Sequence, residues 1–199
     1  ARRATGSAAI AATRSAARSS ARRASAAGSS RIWFAVTGTR TGAGAGLLVF
    51  IDLHQDLYGE GFVGANGAPR WTCDEANYAA YRPVTPWFLN ALSTQVIACV
   101  DGFWSSKELK AKYASAWRQV AKALKVGRGV IGFDPMNGPP WGSLPNDVFE
   151  KTRLAPLYRD VLAEVRAERP DWIGFFEPAA SRNLGLPTAL PRFDEPNIV

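Results

Sequence analysis

The first sustained apolar run in the chain is Leu47–Asp52 (LLVFID), and it ends on an acidic residue. Its lack of alternation predicts a strand buried on both faces. Residues 59–86 are rich in Gly, Pro and Asn with scattered aromatics, which predicts a loop. At 28 residues it is too long for a passive connection. A helix is expected around Pro86–Val100. Lys107–Lys125 is amphipathic, with Leu109, Tyr113, Ala116, Val120 and Leu124 on one stripe, and Gly127 and Gly129 stop it. Val130–Asp134 (VIGFD) predicts a second buried strand. Tyr158, Val161, Leu162 and Val165 line another helix, begun near Ala155 because Pro156 suits a first turn, and ended by Pro170. Trp172–Glu177 (WIGFFE) predicts a third strand, and Asn197–Val199 the start of a fourth. Strands alternating with helices predict an α/β fold with a parallel sheet, either open and doubly wound or closed into a barrel. The glycines of 42–46 precede the first strand, so they form no dinucleotide-binding fingerprint.

Before Gly46 the pattern is absent. Residues 1–31 are almost wholly Ala, Arg, Ser, Gly and Thr, with Ile10 the one large aliphatic residue and no aromatic. Such a segment buries too little apolar surface to offset its ordering entropy, so disorder is expected. Ala, Arg, Gly and Ser are also what GC-rich codons give out of frame, so residues 1–45 read as a disordered or mistranslated segment. Arg31–Thr37 (RIWFAVT) is the one strand-like stretch there. The domain is therefore expected to occupy 46–199.

Charge follows the same division. The net +7 and pI near 9.8 suggest nucleic acid until the charges are located. Residues 1–40 hold eight arginines and no acid, leaving 16 basic against 17 acidic residues in the rest. A basic arm for nucleic acid is one reading of that segment, and a transit peptide another. No nucleic-acid partner is expected for the near-neutral remainder. No run of about 18 apolar residues is present, so no transmembrane segment is expected. No apolar core of a signal peptide is visible either. Cys73 and Cys99 lie outside any metal-ligand spacing; a disulfide and two buried thiols are both open.

Polar residues gather at all three predicted strand ends: Asp52, His54, Gln55 and Asp56; then Asp134 and Asn137; then Glu177. A (β/α) barrel places its active site at that face. Asp52, His54 and Asp56 alternate, so an extended chain puts them on one face, suited to a metal or to sugar hydroxyls. Asp134 could equally cap the turn that follows it. Trp71, Trp104 and Trp141 fall in predicted loops, where flat rings serve either as sugar platforms or as loop anchors.

LLVFIDLHQDLY, GANGAPRW, GFW at 102–104, GVIGFDPMNGPPWGS, FFEP and DEPNIV together resemble the endoglycoceramidase-type branch of glycoside hydrolase family 5. The resemblance is collinear over about residues 46–199. It implies part of a (β/α)8 TIM barrel (about three to four central βα units), a retaining glycosidase and a carbohydrate or glycolipid substrate. It implies no cofactor and no metal. By position, Asp52, His54 and Asp56 resemble binding residues for the sugar beside the scissile bond, Trp104 an aromatic wall, and Asn137 the asparagine that binds the sugar 2-hydroxyl. Trp71, Trp141 and Glu177 are further subsite candidates. Members are commonly exported, which would suit a Cys73–Cys99 disulfide.

Two departures bear on activity. The family motif is Asn-Glu-Pro, whose Glu is the acid/base; here the run is Asn137-Gly138-Pro139, and glycine carries no proton. The nucleophile belongs to a later strand than the one beginning at Asn197. The first two barrel strands should also precede Leu47. The sequence thus reads as an incomplete or degenerate glycosidase, inactive as written, with open sheet edges that predict poor solubility. The alternatives are a carbohydrate-binding pseudoenzyme in which Gly138 is selected, and a nucleic-acid binder working through its basic arm. Oligomeric state is left open.

Overall fold

The computed structural model describes residues 46–125 and 129–199. Residues 1–45, and with them the expectations for the basic segment, lie outside that range, as does Gly127. Three parallel strands form the sheet, in the order β1 (Val49–Asp52), β2 (Val130–Asp134), β3 (Ile173–Gly174). Ile198 bridges to Gly174 in parallel on the far side of β3, where the fourth strand was expected. Spatial order follows chain order with no reversal among the described strands. That is the progression of a barrel wall; a doubly wound sheet would reverse direction at a switch point. The chain has the mixed helix–strand architecture of a partial (β/α) barrel.

The central strand behaves as its sequence implies, with Val130 and Phe133 buried. Gly132 is required there, because a Cβ would lie 2.3 Å from the Ile173 carbonyl oxygen of β3. Strand β1 does not have two buried faces. It is the edge strand, so Ile51 is buried while Phe50 is half-exposed against Phe175, with ring centroids 4.8 Å apart. Pairing starts at Val49 opposite Val130, with a register shift before Phe50, which leaves Leu47 and Leu48 outside the strand and exposed. Strand β3 is shorter than expected as a regular element. Its backbone still bonds both neighbours, from Phe175 N–H to Phe133 (2.9 Å) and from Phe176 N–H to Val199 (2.9 Å).

Helices are set by caps that periodicity does not reveal. The expected loop 59–86 contains α1 (Glu75–Ala80), whose Asp74 side chain accepts from the Ala76 N–H at 2.9 Å. The region 86–100 is not one helix: a 3-10 segment, Trp87–Leu92, ends at Ser93, whose hydroxyl caps α2 (Thr94–Ser105). Ser106 caps α3 (Lys107–Ala123) in turn. The stripe read for α3 faces inward, joined by the fully buried Trp117 and Ala121. The last helix starts earlier than Ala155. A turn, α4 (Asn146–Phe149), runs through a π-helical stretch, Glu150–Leu154, into α5 (Ala155–Arg166). Ala155 N–H reaches back five residues to Glu150, and this wider turn accommodates Pro156 inside a continuous helix.

Helices α3 and α5 pack together, and the rings of Trp117 of α3 and Trp172 lie tilted against Phe133 of β2. At the N-terminal ends of β2 and β3 the buried Arg169 closes this layer. Its guanidinium grips Asp171 at 2.9 and 3.0 Å, donates to the Leu124 and Val130 carbonyls, and stacks on Trp172. Cys73 and Cys99 form a disulfide, which settles the open alternative and ties the long loop to α2. No helix among the described residues is long and apolar enough to cross a membrane.

Candidate functional site

At the opposite, C-terminal edge of the sheet, each strand delivers a carboxylate. Asp52 and Asp134 are direct register partners on β1 and β2, and Glu177 follows β3. Burial raises Asp134 to about 8, with the negative charges of Glu177 and Asp52 and a shared hydrogen bond to Glu177 adding to the shift. At neutral pH its carboxyl is therefore mostly protonated. Its turn role is also real, since the Met136 N–H donates to Oδ1 at 3.1 Å. Asp52 is raised too, by burial first and by Glu177, against the opposing pull of His54.

The alternation in the run after β1 does put its three residues side by side. His54 Nε2 lies 3.2 Å from Asp56, and Nδ1 lies 3.6 Å from Asp52. Asp56 is fixed from behind by Asn66, which donates its amide N–H to Oδ2 (2.9 Å) and accepts the Asp56 backbone N–H (2.8 Å). Among the described residues no group of three His, Cys, Asp or Glu has the arrangement of a metal site. Both ring nitrogens of His54 already face carboxylates.

Two motif runs about 80 residues apart are locked together here. Asn137 N–H donates to the Leu53 carbonyl at 3.2 Å, and the Gln55 side-chain amide donates to the Asn137 carbonyl. Next to them Gly138 has φ +49°, in the left-handed region, and its N–H donates to Glu177 Oε2 at 2.7 Å. A Cβ at Gly138 would meet nothing closer than the Ala180 Cβ at 3.8 Å, so a side chain would fit the space. A cavity of about 260 Å³ opens at this point, lined by Gly138, Glu177, Ala180, Arg182 and Asn183 among others. Tyr158 O–H donates to the Glu177 carbonyl at 2.7 Å and fixes that turn.

The tryptophans divide. Trp104 is not in a loop: it lies on α2, is 2% exposed, donates its indole N–H to the Pro140 carbonyl (2.7 Å) and packs edge-on against Phe149. Its ring offers no open face to a sugar in this structure. It holds the segment that follows Gly138. Trp141 is half-buried in that segment, which Asp101 pins by accepting from the Ser143 N–H at 2.9 Å. Trp71 is exposed and stands beside Lys112 of α3.

Sequence reasoning missed Glu150. This buried carboxylate accepts from Ala179 N–H, Thr188 O–H and Ala189 N–H, and so braces the chain on both sides of the cavity wall. Nothing in the local pattern marks it, because an acid in a helical stretch ordinarily faces water. Asn66 was within reach, since the Asn-Gly pair at 66–67 signals a turn that must be held.

No protein-family model and no curated protein matches the chain. Solved structures do match. Endo-glycoceramidase II from Rhodococcus sp. aligns at TM-score 0.71 and 33% identity, covering 78% of this chain and 38% of its own. The same enzyme in a ganglioside GM3 complex aligns at TM-score 0.74 and 28% identity, over 85% and 44%. A crystal structure of endogalactoceramidase shares the fold at TM-score 0.69 and 20% identity, over 81% and 40%. The chain thus spans about two fifths of the length of these proteins. Over about 78% of its residues it has the endoglycoceramidase-type fold of glycoside hydrolase family 5.

Proposed function

We propose that this chain is the glycan-binding centre of a glycoside hydrolase directed at glycosphingolipids, and that with Gly138 in place it binds sugar without cleaving it. The observation that carries this reading is the lock between the 52–56 run and the 137–139 run, through Leu53, Gln55 and Asn137. It sets Asp52, His54 and Asp56 beside Asn137 at the strand ends, with carboxylates and imidazole available to several adjacent hydroxyls. Neighbouring structures that hold a ganglioside and a lactosyl intermediate support a sugar as the ligand.

A retaining glycosidase protonates the leaving oxygen with one carboxylic acid and attacks the anomeric carbon with another, about 5–5.5 Å away. Gly138 has no proton to give, and loss of general acid catalysis costs about 10²–10⁴-fold in rate. Glu177 accepts the Gly138 N–H and shares a hydrogen bond with Asp134, which supports a positioning role beneath the sugar. Trp141 and Trp71 remain candidates for apolar contact with a sugar face. Trp104 acts behind that surface.

The test incubates the full chain with ganglioside GM3 and assays released oligosaccharide, while ligand-observed NMR follows lactose. The expected result is lactose binding with no release. Release with the bell-shaped pH profile of an acid/base pair would overturn the non-hydrolytic reading. Absence of lactose binding would overturn the glycan reading itself.

A further inference from the structure

Two charged residues line the cavity of about 260 Å³ beside Gly138, and they are of opposite sign: Glu177 and Arg182. Arg182 comes from the stretch 178–193, in which no residue is acidic and Arg182 and Arg192 are the only charged ones. Together with Asn183 it stands on a 3-10 turn, Ala180–Leu184. The Arg182 guanidinium is exposed, and it donates one long hydrogen bond, to the Leu186 carbonyl at 3.3 Å. Among the described residues no carboxylate pairs with it, whereas Arg70, Arg118, Arg159 and Arg169 each meet an acid. A cation in a cavity wall without a counter-charge is a place for an anionic group.

The backbone beneath that cation is held from several directions. Ala180 N–H donates to the Pro139 carbonyl at 2.9 Å, which ties the turn to the segment after Gly138. Ser181 is fully buried and its hydroxyl bonds to the Asn146 side chain, whose amide donates to the Pro187 carbonyl at 3.3 Å. Glu150 accepts from Ala179 N–H at 2.9 Å and from Thr188 O–H at 3.0 Å, one on each side of Arg182. The scaffold therefore fixes where the guanidinium starts and leaves its donors to a ligand.

The chemistry of the walls narrows the occupant. Arg182 and Asn183 present N–H donors, and a guanidinium fork matches a carboxylate. Glu177 presents acceptors: its Oε2 takes the Gly138 N–H at 2.7 Å, and a carboxylate has about four lone-pair sites in all. A simple carboxylate would be repelled by Glu177, and a neutral sugar would leave Arg182 unused. A ligand that satisfies both carries a carboxylate at one end and hydroxyls at the other. Ala179 and Ala180 add an apolar patch for the C–H face of a ring. Drug-sized ligands occupy about 300–1,000 Å³, so this smaller space suits one monosaccharide unit. We propose that the cavity binds a hexuronic acid unit, with its carboxylate on Arg182 and Asn183 and a hydroxyl on Glu177. This deepens the glycan reading and rests on it: neutral sugar belongs to Asp52, His54 and Asp56, and the acidic unit to the adjoining cavity.

The experiment titrates the full chain with methyl glucuronide, methyl glucoside, acetate and lactose by ligand-observed NMR. The expected result is that glucuronide binds about tenfold or more tighter than glucoside, with the preference shrinking as salt is raised. Arg182→Gln should bring glucuronide down to the level of glucoside. Arg182 is exposed, so that variant should keep its melting temperature. Arg182→Lys should retain part of the preference, as a charge without the fork. Equal affinity for glucuronide and glucoside, or a preference that survives Arg182→Gln, would overturn the inference, while lactose binding would keep the glycan reading. Acetate bound as tightly as glucuronide would overturn it too, because the cavity would then hold a carboxylate without a sugar. An Arg182-dependent glucuronide preference without lactose binding would leave this site standing and remove the reading at Asp52, His54 and Asp56.

Discussion

The two ends of the same three-stranded sheet are built on opposite principles. At the N-terminal end a single cation, Arg169, is buried with four of its five N–H donors directed at partners, a carboxylate and two strand-end or helix-end carbonyls. At the C-terminal end three carboxylates converge, and burial, reinforced by the repulsion of one carboxylate on another, raises Asp134 and Asp52. The first end is satisfied and serves stability. The second is electrostatically unsatisfied, the usual mark of a surface waiting for a ligand.

The largest effect is expected at Arg169. Arg169→Ala would orphan the Leu124 and Val130 carbonyls and expose one face of Trp172, at a cost of about 2–4 kcal/mol. Thermal unfolding should fall by roughly 10 °C, and Arg169→Lys should recover little, because an ammonium cannot reproduce the planar fork. A loss of only a degree or two would show that this end is not the scaffold.

The next effect is a pH dependence at the other end. A carboxyl raised in the folded state contributes stability that is complete below its unfolded value near 4 and is lost as pH rises through about 8. The melting temperature should therefore decline between pH 5 and 8. Asp134→Asn keeps the acceptor for Met136 and a donor toward Glu177, so it should flatten that decline and exceed the wild type at pH 8 by roughly 5 °C. An unchanged slope would mean that Asp134 is not the proton store.

Smaller still is Gly138→Glu. The space is open, with Ala180 Cβ at 3.8 Å, so the cost is the left-handed backbone, about 1–2 kcal/mol, together with the repulsion of a further carboxylate beside Glu177. A larger loss in thermal unfolding would show that the site has closed around glycine. Smallest is Arg118→Ala on α3, whose exposed pairs with Glu164 and Glu168 should leave the melting temperature within error.

How far the sequence was legible follows from the same physics. Strand β2 could be read because it is covered on both sides and its apolar run is continuous. The identical signal in β1 misled on burial, because nothing in LLVFID reports that the strand is at an edge. The stripe of α3 was legible by period, whereas its start depended on Ser106 and the break before α2 on Ser93, single hydroxyls that periodicity ignores. Pro156 pointed to a helix start. The π turn that lets a proline sit inside a helix is a backbone adjustment without a side-chain signature. Of the site, Asp52, His54 and Asp56 were visible as an alternating set, and Gly138 as a missing carboxylate. Trp104 was misplaced because GFW beside two serines looks like a loop, although Lys107 onward begins a second helix directly against the first. Glu150, which braces the cavity wall, works through contacts with residues 29 to 39 positions away that no local window contains.

The most direct measurement is a calorimetric lactose titration of the wild type, Asp52→Asn and Arg169→Lys, with melting temperatures recorded on the same samples. Asp52→Asn should weaken lactose about tenfold or more, the loss of one charge-assisted hydrogen bond, at nearly unchanged stability. Arg169→Lys should lower the melting temperature while the affinity of the folded protein holds. Equal affinity for wild type and Asp52→Asn would contradict the assignment of the carboxylate end as the binding face.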